Sequence, residues 1–277
     1  MGAVIVSDNF EESAHPGNAV GTANSPAIPF LVPVDGLVFN GTVTNPNDAT
    51  FGRVLKLDDG DISASTTTAA VGVLPGSVLL SNAGDTVTVS FKFRFTVTSS
   101  ANTFRFGLFN SVGTSAAGTG SHNDIGYYVS LPEAGSGGVT NSTFYRENSG
   151  TNPAMGGGDR TNYVSSAVIP ALTALGASEL YSLSLTLTRT STNINFSLGI
   201  AAGAGPATTY TATTNASLIT SFDEIMFNSG FNNATSGGTD LIIDDLMIDA
   251  SNFVVPEPST ALLTAFAGVG LLFRRRK

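Results

Sequence analysis

The sequence predicts an all-β fold, a two-sheet antiparallel jelly-roll sandwich followed by a short C-terminal apolar helix. Three observations predict it. Apolar residues recur at every second position in the main hydrophobic stretches, the period of a half-buried strand. No long stretch in the body has the 3.6-residue period of a helix, and the connections are rich in Gly, Ser, Asn and Thr. Two stacked antiparallel sheets bury one face of each strand and leave the other in water, which is what such alternation requires.

Taken in order, weak strands are expected at Ala3–Ser7, Leu37–Val43 and Arg53–Leu57. Thr86–Thr98 is the clearest: Val87, Val89, Phe91, Phe93, Phe95 and Val97 share one face, with Thr, Ser, Lys92 and Arg94 on the other. Phe104, Phe106 and Leu108 follow a Ser-Ser-Ala-Asn turn, so these two strands read as a hairpin. Ile125, Tyr127, Val129 and Leu131 make the next strand. Tyr181–Leu187 and Ile194–Ile200 flank a turn at Thr190–Asn193, and Phe222–Phe227 and Leu241–Asp249 close the body. The 18 Phe supply core volume in a chain without Trp. Loops at 110–124, 132–143, 148–162 and 201–217 are long, and loops on a rigid sandwich often carry function. Residues 1–252 read as one domain and residues 253–277 as a separate tail.

The 277 residues include 12 Lys+Arg and 21 Asp+Glu, a net charge of −9, and no Cys. Without cysteine, disulfide scaffolds and Cys-ligated metal sites are excluded. An acidic chain does not supply the positive charge that nucleic-acid phosphates demand, so no nucleic-acid partner is expected. The charges are unevenly placed. Arg274, Arg275, Arg276 and Lys277 hold four of the 12 basic residues, and residues 1–252 are left with 8 basic against 20 acidic, a balance of −12.

The tail runs Val-Pro-Glu-Pro-Ser-Thr, then an uncharged stretch from Ala261 to Phe273, then Arg-Arg-Arg-Lys. A helix over 259–273 is roughly 22 Å long, short of a hydrocarbon core of about 30 Å. It spans only with a thinned bilayer or snorkelling arginines, and the basic cluster then stays cytoplasmic. A helix packed on the body would present a polar face, and this stretch has none.

Val255-Pro256-Glu257-Pro258-Ser259, a short apolar helix and a terminal Arg run, in that order, resemble the PEP-CTERM sorting signal. The resemblance implies a transient membrane anchor in a Gram-negative bacterium and recognition by an exosortase, a transpeptidase-like membrane enzyme. It also implies delivery to the cell surface or exopolysaccharide matrix. Pro256, Glu257 and Pro258 carry over as the sorting motif, and Arg274, Arg275 and Arg276 as the membrane stop. It further implies a secretory signal peptide. The first residues, Met-Gly-Ala-Val-Ile-Val-Ser-Asp, lack a basic region and a long apolar run, so a mature start near Ala3 is expected. Ser7-Asp8-Asn9-Phe10-Glu11 and Leu241-Ile242-Ile243-Asp244-Asp245-Leu246 give the body a weaker likeness to laminin-G and concanavalin-like jelly rolls.

In such jelly rolls the first and last strands lie side by side and can share a structural calcium, which needs six to eight oxygen ligands. Asp8 and Glu11 near the first strand, with Asp244 and Asp245 in the last, are the candidate ligands. Period 2 puts Asp244 on the core face with Ile242, Leu246 and Ile248, where a carboxylate needs a cation or strong hydrogen bonds. Asp58-Asp59-Gly60-Asp61 lacks calcium-loop spacing and reads as a solvated turn.

Concanavalin-like glycosidases use two carboxylates facing one cleft. No Glu-x-Asp-x-x-Glu arrangement is present, and the adjacent pairs Asp223-Glu224 and Asp244-Asp245 point to opposite faces of a strand. His15 and His122 have no marked nucleophile, since Gly-x-Ser-x-Gly is absent. Met155-Gly156-Gly157-Gly158-Asp159-Arg160 reads as a flexible loop rather than a phosphate cradle. For glycan binding, Tyr128, Tyr145 and Arg146 are the candidates, with Tyr128 expected to be exposed opposite the core residue Tyr127. The expected function is that of an exported, non-enzymatic surface or matrix protein whose body is structural or glycan-contacting. The alternatives are a polysaccharide-acting enzyme of concanavalin-like fold and a self-associating adhesion module.

Overall fold

The computed structural model describes residues 2–10, 30–31, 42–44, 47–48, 52–58, 67–96, 103–112, 124–132, 144–148, 155, 160–163, 172, 180–214, 218–230 and 240–254. These residues form two antiparallel sheets packed face to face, so the all-β sandwich is observed. Sheet A runs β15 (Thr208–Thr213), β14 (Ile194–Ala202), β13 (Tyr181–Arg189), β8 (Thr86–Phe95), β17 (Leu241–Ala250), β6 (Leu55–Asp58), β3 (Thr42–Thr44), with β1 (Ala3–Asp8) also on β17. Sheet B runs β12 (Arg160–Tyr163), β11 (Phe144–Glu147), β10 (Ile125–Pro132), β9 (Thr103–Asn110), β16 (Ser221–Gly230), β7 (Thr67–Leu79), β18 (Phe253–Val254), with β2 (Phe30–Leu31) also on β7. A small ribbon pairs β4 (Asn47–Asp48) with β5 (Gly52–Arg53). The apolar helix expected over 259–273 lies outside the described residues.

The alternation read from the sequence places the core. Val87, Val89, Phe91, Phe93 and Phe95 point from β8 toward sheet B, where Phe104, Phe106 and Leu108 of β9 meet them. The hairpin expected between these strands does not form: β8 pairs with β13 and β17, and β9 pairs with β10 and β16. The physical reason is the aromatic content. Facing across the sandwich, Phe91 meets Phe106 edge-on at 5.0 Å and Phe227 at 5.1 Å, geometries that add about 0.5–1.5 kcal/mol each beyond burial. The turn at Thr190–Asn193 is present, closed by Thr190 N–H to the Asn193 carbonyl at 2.8 Å. Phe253 and Val254 pair with Val78 and Ser77, so the sandwich extends to Val254.

The outer face of sheet A is polar. Thr88, Thr186, Ser197 and Thr211 are successive cross-strand neighbours on β8, β13, β14 and β15. Ser90, Ser184, Gly199 and Thr209 form the row to one side, and Thr86, Thr188, Asn195 and Thr213 the row to the other.

Candidate functional site

The outer face of sheet B is different. Antiparallel sandwiches commonly solvate their outer faces, yet this one carries a second small core of Val71, Phe109, Tyr128, Tyr145, Met155 and Met226. Register builds it. Val71, Met226, Gly107, Tyr128, Tyr145 and Asn162 lie in one row across β7, β16, β9, β10, β11 and β12. In the adjacent row Glu224 neighbours Phe109, and Glu147 neighbours Arg160. Tyr128 stacks on Tyr145 at 4.9 Å, and the Arg160 guanidinium lies 4.6 Å from the Tyr145 ring centre.

Met155 joins this face from outside the sheet. Its N–H donates to Glu147 Oε2 at 3.0 Å, and its carbonyl accepts from Arg105 Nη1 at 2.7 Å. It is 1% exposed and sits at φ 60°. Met155, the first residue of the Gly-rich run, is thus pinned and buried by its polar tethers, while residues 156–159 lie outside the described residues.

Charged and polar side chains are buried on the same face. Asp124, Glu147, Glu224 and Asn228 are all nearly inaccessible. Burial, reinforced by Asp124 and Asp223, pushes the Glu224 carboxyl up to about 8, and a hydrogen bond to Asp124 adds to the shift. Glu224 therefore keeps its proton at neutral pH beside the Asp124 carboxyl. Asp223 turns away and binds Ser111, with Oδ1 accepting its N–H at 2.8 Å, as expected for adjacent residues of a strand. Burial lowers the Arg105 guanidinium and raises the Tyr128 phenol to about 12. Glu224 Oε2, Asn228 Oδ1 and Arg105 Nε have no hydrogen-bond partner, a costly condition for buried polar atoms. Asp124, Glu224, Asn228 and Arg105 were not among the residues singled out for binding. One signal was available: β16 is apolar on both faces at Ile225, Met226 and Phe227, and Glu224 interrupts it.

The predicted ligand residues divide. Tyr128 faces away from Tyr127, as expected, but is 0% exposed rather than open, because the second core covers it. Tyr145 joins it. Arg146 does not, since it lies on the opposite side of β11, where its Nη1 donates to Asn148 Oδ1 at 2.5 Å.

The predicted calcium residues also divide. The first and last long strands pair, with Asp8 opposite Leu246. Asp8 Oδ1 accepts the Phe10 N–H at 2.8 Å. Asp244 is not on the core face with Leu246 and Ile248. A bulge between Asp244 and Met247, with Asp245 at φ 50°, breaks the alternation and turns Asp244 to the outer face of sheet A. Asp245 pairs with Lys92 Nζ at 2.6 Å, and this pairing raises the lysine pKa. Glu11 lies outside the described residues, among which no three metal-ligating side chains converge.

Pro256, Glu257, Pro258 and Arg274 to Arg276 also lie outside the described residues. Here comparison decides. Residues 254–277 match the PEP-CTERM protein-sorting motif. The chain carries a PEP-CTERM sorting motif. Such a motif marks an exported protein processed by an exosortase. Among the described residues no helix is long and apolar enough to cross a membrane. No curated protein matches the chain. The solved structures similar to the chain include two lectins and a carbohydrate recognition domain. Lectin UEA-II complexed with galactose is 12% identical, with TM-score 0.47, over 90% of this chain and 100% of that one. Peanut lectin with a nine-residue peptide is 12% identical, with TM-score 0.45, over 91% and 99%. The metal-free carbohydrate recognition domain of Emp46p is 13% identical, with TM-score 0.42, over 82% and 89%.

Proposed function

We propose that the chain is an exported surface or extracellular-matrix protein, non-enzymatic, delivered through its PEP-CTERM motif. The motif at residues 254–277 is the observation that carries the reading. Pro256, Glu257 and Pro258 are the exosortase recognition residues. The apolar stretch is a transient inner-membrane anchor, and Arg274, Arg275 and Arg276 stop it at the cytoplasmic side. In a host that carries an exosortase, the full chain is expected in the surface or extracellular fraction. Alanine at Pro256, Glu257 and Pro258 should hold it at the inner membrane. Unchanged release of that variant overturns the reading.

The body is proposed to contact exopolysaccharide through the outer face of sheet B, centred on the ring stack of Tyr128 and Tyr145. The support is the stacked pair of rings with the Arg160 guanidinium 4.6 Å from the Tyr145 ring centre, an apolar platform beside a polar group on one face. Glycan-array binding that survives alanine at Tyr145 refutes the assignment.

One observation favours a second reading, a polysaccharide-acting enzyme. Glu224, a protonated acid at neutral pH, sits beside Asp124 on one sheet face. Release of reducing sugar from a polysaccharide that Glu224→Gln abolishes would select this reading; absence of release would reject it.

A further inference from the structure

The outer face of sheet A suggests a second contact surface. Across β8, β13, β14 and β15 it presents three regular rows made only of Thr, Ser, one Asn and one Gly. Thr209, Thr211, Thr213 and Asn195 are exposed, and the other positions are partly so. The spacing is that of the sheet, about 4.8 Å between strands and about 6.8 Å between alternate residues. Each hydroxyl is both donor and acceptor, and the threonines hold theirs in restricted rotamers. Some pair within the face, as Thr88 with Thr186 at 2.9 Å, which leaves further donor and acceptor capacity outward.

High strand propensity accounts for threonine here. It does not account for Gly199, nor for the lack of the Lys and Glu that exposed faces normally mix in. Gly199 lies in the middle of β14, paired in unbroken register on both sides with Ser184 and Thr209. A Cβ placed on it would meet nothing nearer than the Ser184 carbonyl oxygen at 3.9 Å. The contrast is with Gly107 and Gly126 of sheet B, where a Cβ would collide with Tyr128 and Phe109. Packing therefore demands glycine at 107 and 126 but not at 199. A glycine inside a strand weakens it, and one that the fold does not require marks a place where another surface comes close.

Charge narrows the partner. The chain is at −9, yet these three rows carry no charge. The bordering charges stand outside the rows, at Lys92 beyond Ser90 on β8 and at Asp249 opposite Thr88 on β17. A polycation would be drawn to the acidic remainder of the surface, and a polyanion would be repelled by it. An uncharged, hydroxyl-rich partner loses nothing on this face.

We infer that the outer face of sheet A, centred on Gly199, docks an uncharged polysaccharide laid flat across β13, β14 and β15. The inference deepens the reading of the chain as a matrix protein, but it uses a different face from Tyr145, so each fails separately.

The test is retention of the full chain on insoluble microcrystalline cellulose, chitin and curdlan, with carboxylated cellulose as the charged counterpart. Retention is expected on at least one of the three neutral polymers, insensitive to salt, and weaker on the carboxylated one. Gly199→Val fills the shelf with a good strand former. It should weaken retention about tenfold or more while the thermal midpoint stays or rises. The pair Thr186→Val and Thr211→Val, which keeps β-branching and removes hydroxyls, should also weaken retention, and Tyr145→Ala should not. No retention on any neutral polymer overturns the inference, as does retention that Gly199→Val leaves unchanged. A solution dimer that Gly199→Val dissolves gives the face to a second copy and overturns it too.

Discussion

Glu224 of β16 lies beside Asp124, just ahead of β10, on the outer face of sheet B, and burial together with the Asp124 carboxyl holds its pKa up. A carboxyl raised to about 8 from 4.5 binds its proton more tightly folded than unfolded. The stability it contributes is complete below about pH 4.5 and is lost as pH rises to about 8. Within that window the slope is at most about 1.4 kcal/mol per pH unit. Denaturant unfolding of the native chain and Glu224→Gln across pH 4 to 9, on the order of one-unit steps, reads the difference. The native chain should lose stability relative to the variant as pH rises. A parallel pair of profiles would show that the two carboxyls do not share a proton.

Met155 links a Gly-rich stretch to the same face through Glu147 and Arg105. Its side chain fills space among Tyr128, Tyr145 and Met226. Met155→Ala should cost about 2–4 kcal/mol, the range for emptying a buried methionine site. Arg105→Ala should cost about 1–3 kcal/mol by leaving the Met155 carbonyl without its donor. Losses below about 0.5 kcal/mol, the scale of neutral surface changes, would mean that Met155 is surface filler.

Much of this was legible in the sequence. The alternation in Thr86–Phe95, Tyr181–Leu187 and Ile194–Ile200 defined the core face of sheet A, because a strand with one wet side advertises its period. β7 was missed: Pro75, Gly72 and Gly76 interrupt its pattern, and the fold absorbs them with a register shift opposite Phe222 and Glu224. β12 and β15 were read as loop because Arg160–Tyr163 and Thr208–Thr213 are nearly all polar. Edge position helps such strands, since each needs one strand partner, and Tyr163 of β12 and Tyr210 and Ala212 of β15 supply the core contact. The second core was invisible for a different reason. Tyr128 and Phe109 look solvent-facing by alternation, and among the described residues Met155, distant in sequence, joins the cluster that buries them. The sorting motif needed no fold, since it is read as linear residues.

Asp245 stands at φ 50° in the bulge of β17 and pairs with Lys92 at 2.6 Å, both side chains being nearly half-exposed. Such a pair contributes about 0–1 kcal/mol, while a β-branched residue at positive φ is strained. Asp245→Gly should therefore be nearly neutral, and Asp245→Val should cost about 1–2 kcal/mol. Urea titration of the two variants separates the cases. Equal losses would mean that the ion pair, rather than the backbone, decides this position.

Gly107 lies in the row between Met226 and Tyr128. A Cβ there would stand 2.5 Å from the Tyr128 Cβ, and one at Gly126 would stand 2.6 Å from Phe109 Cδ1. Neither clash is with the tip of a flexible chain, so β9 and β10 would have to part. Overpacking costs typically 1–3 kcal/mol and more where backbone must move; Gly107→Ala should fall at about 3 kcal/mol, with loss of the Tyr128–Tyr145 stack. Tyr128→Ala in the same chain keeps the obstructing Cβ, and the Tyr127 carbonyl oxygen stays nearer still to the added Cβ. The double variant should therefore recover little. Thermal unfolding with near-ultraviolet circular dichroism checks both statements, and full recovery in the double variant would refute a backbone and Cβ obstruction.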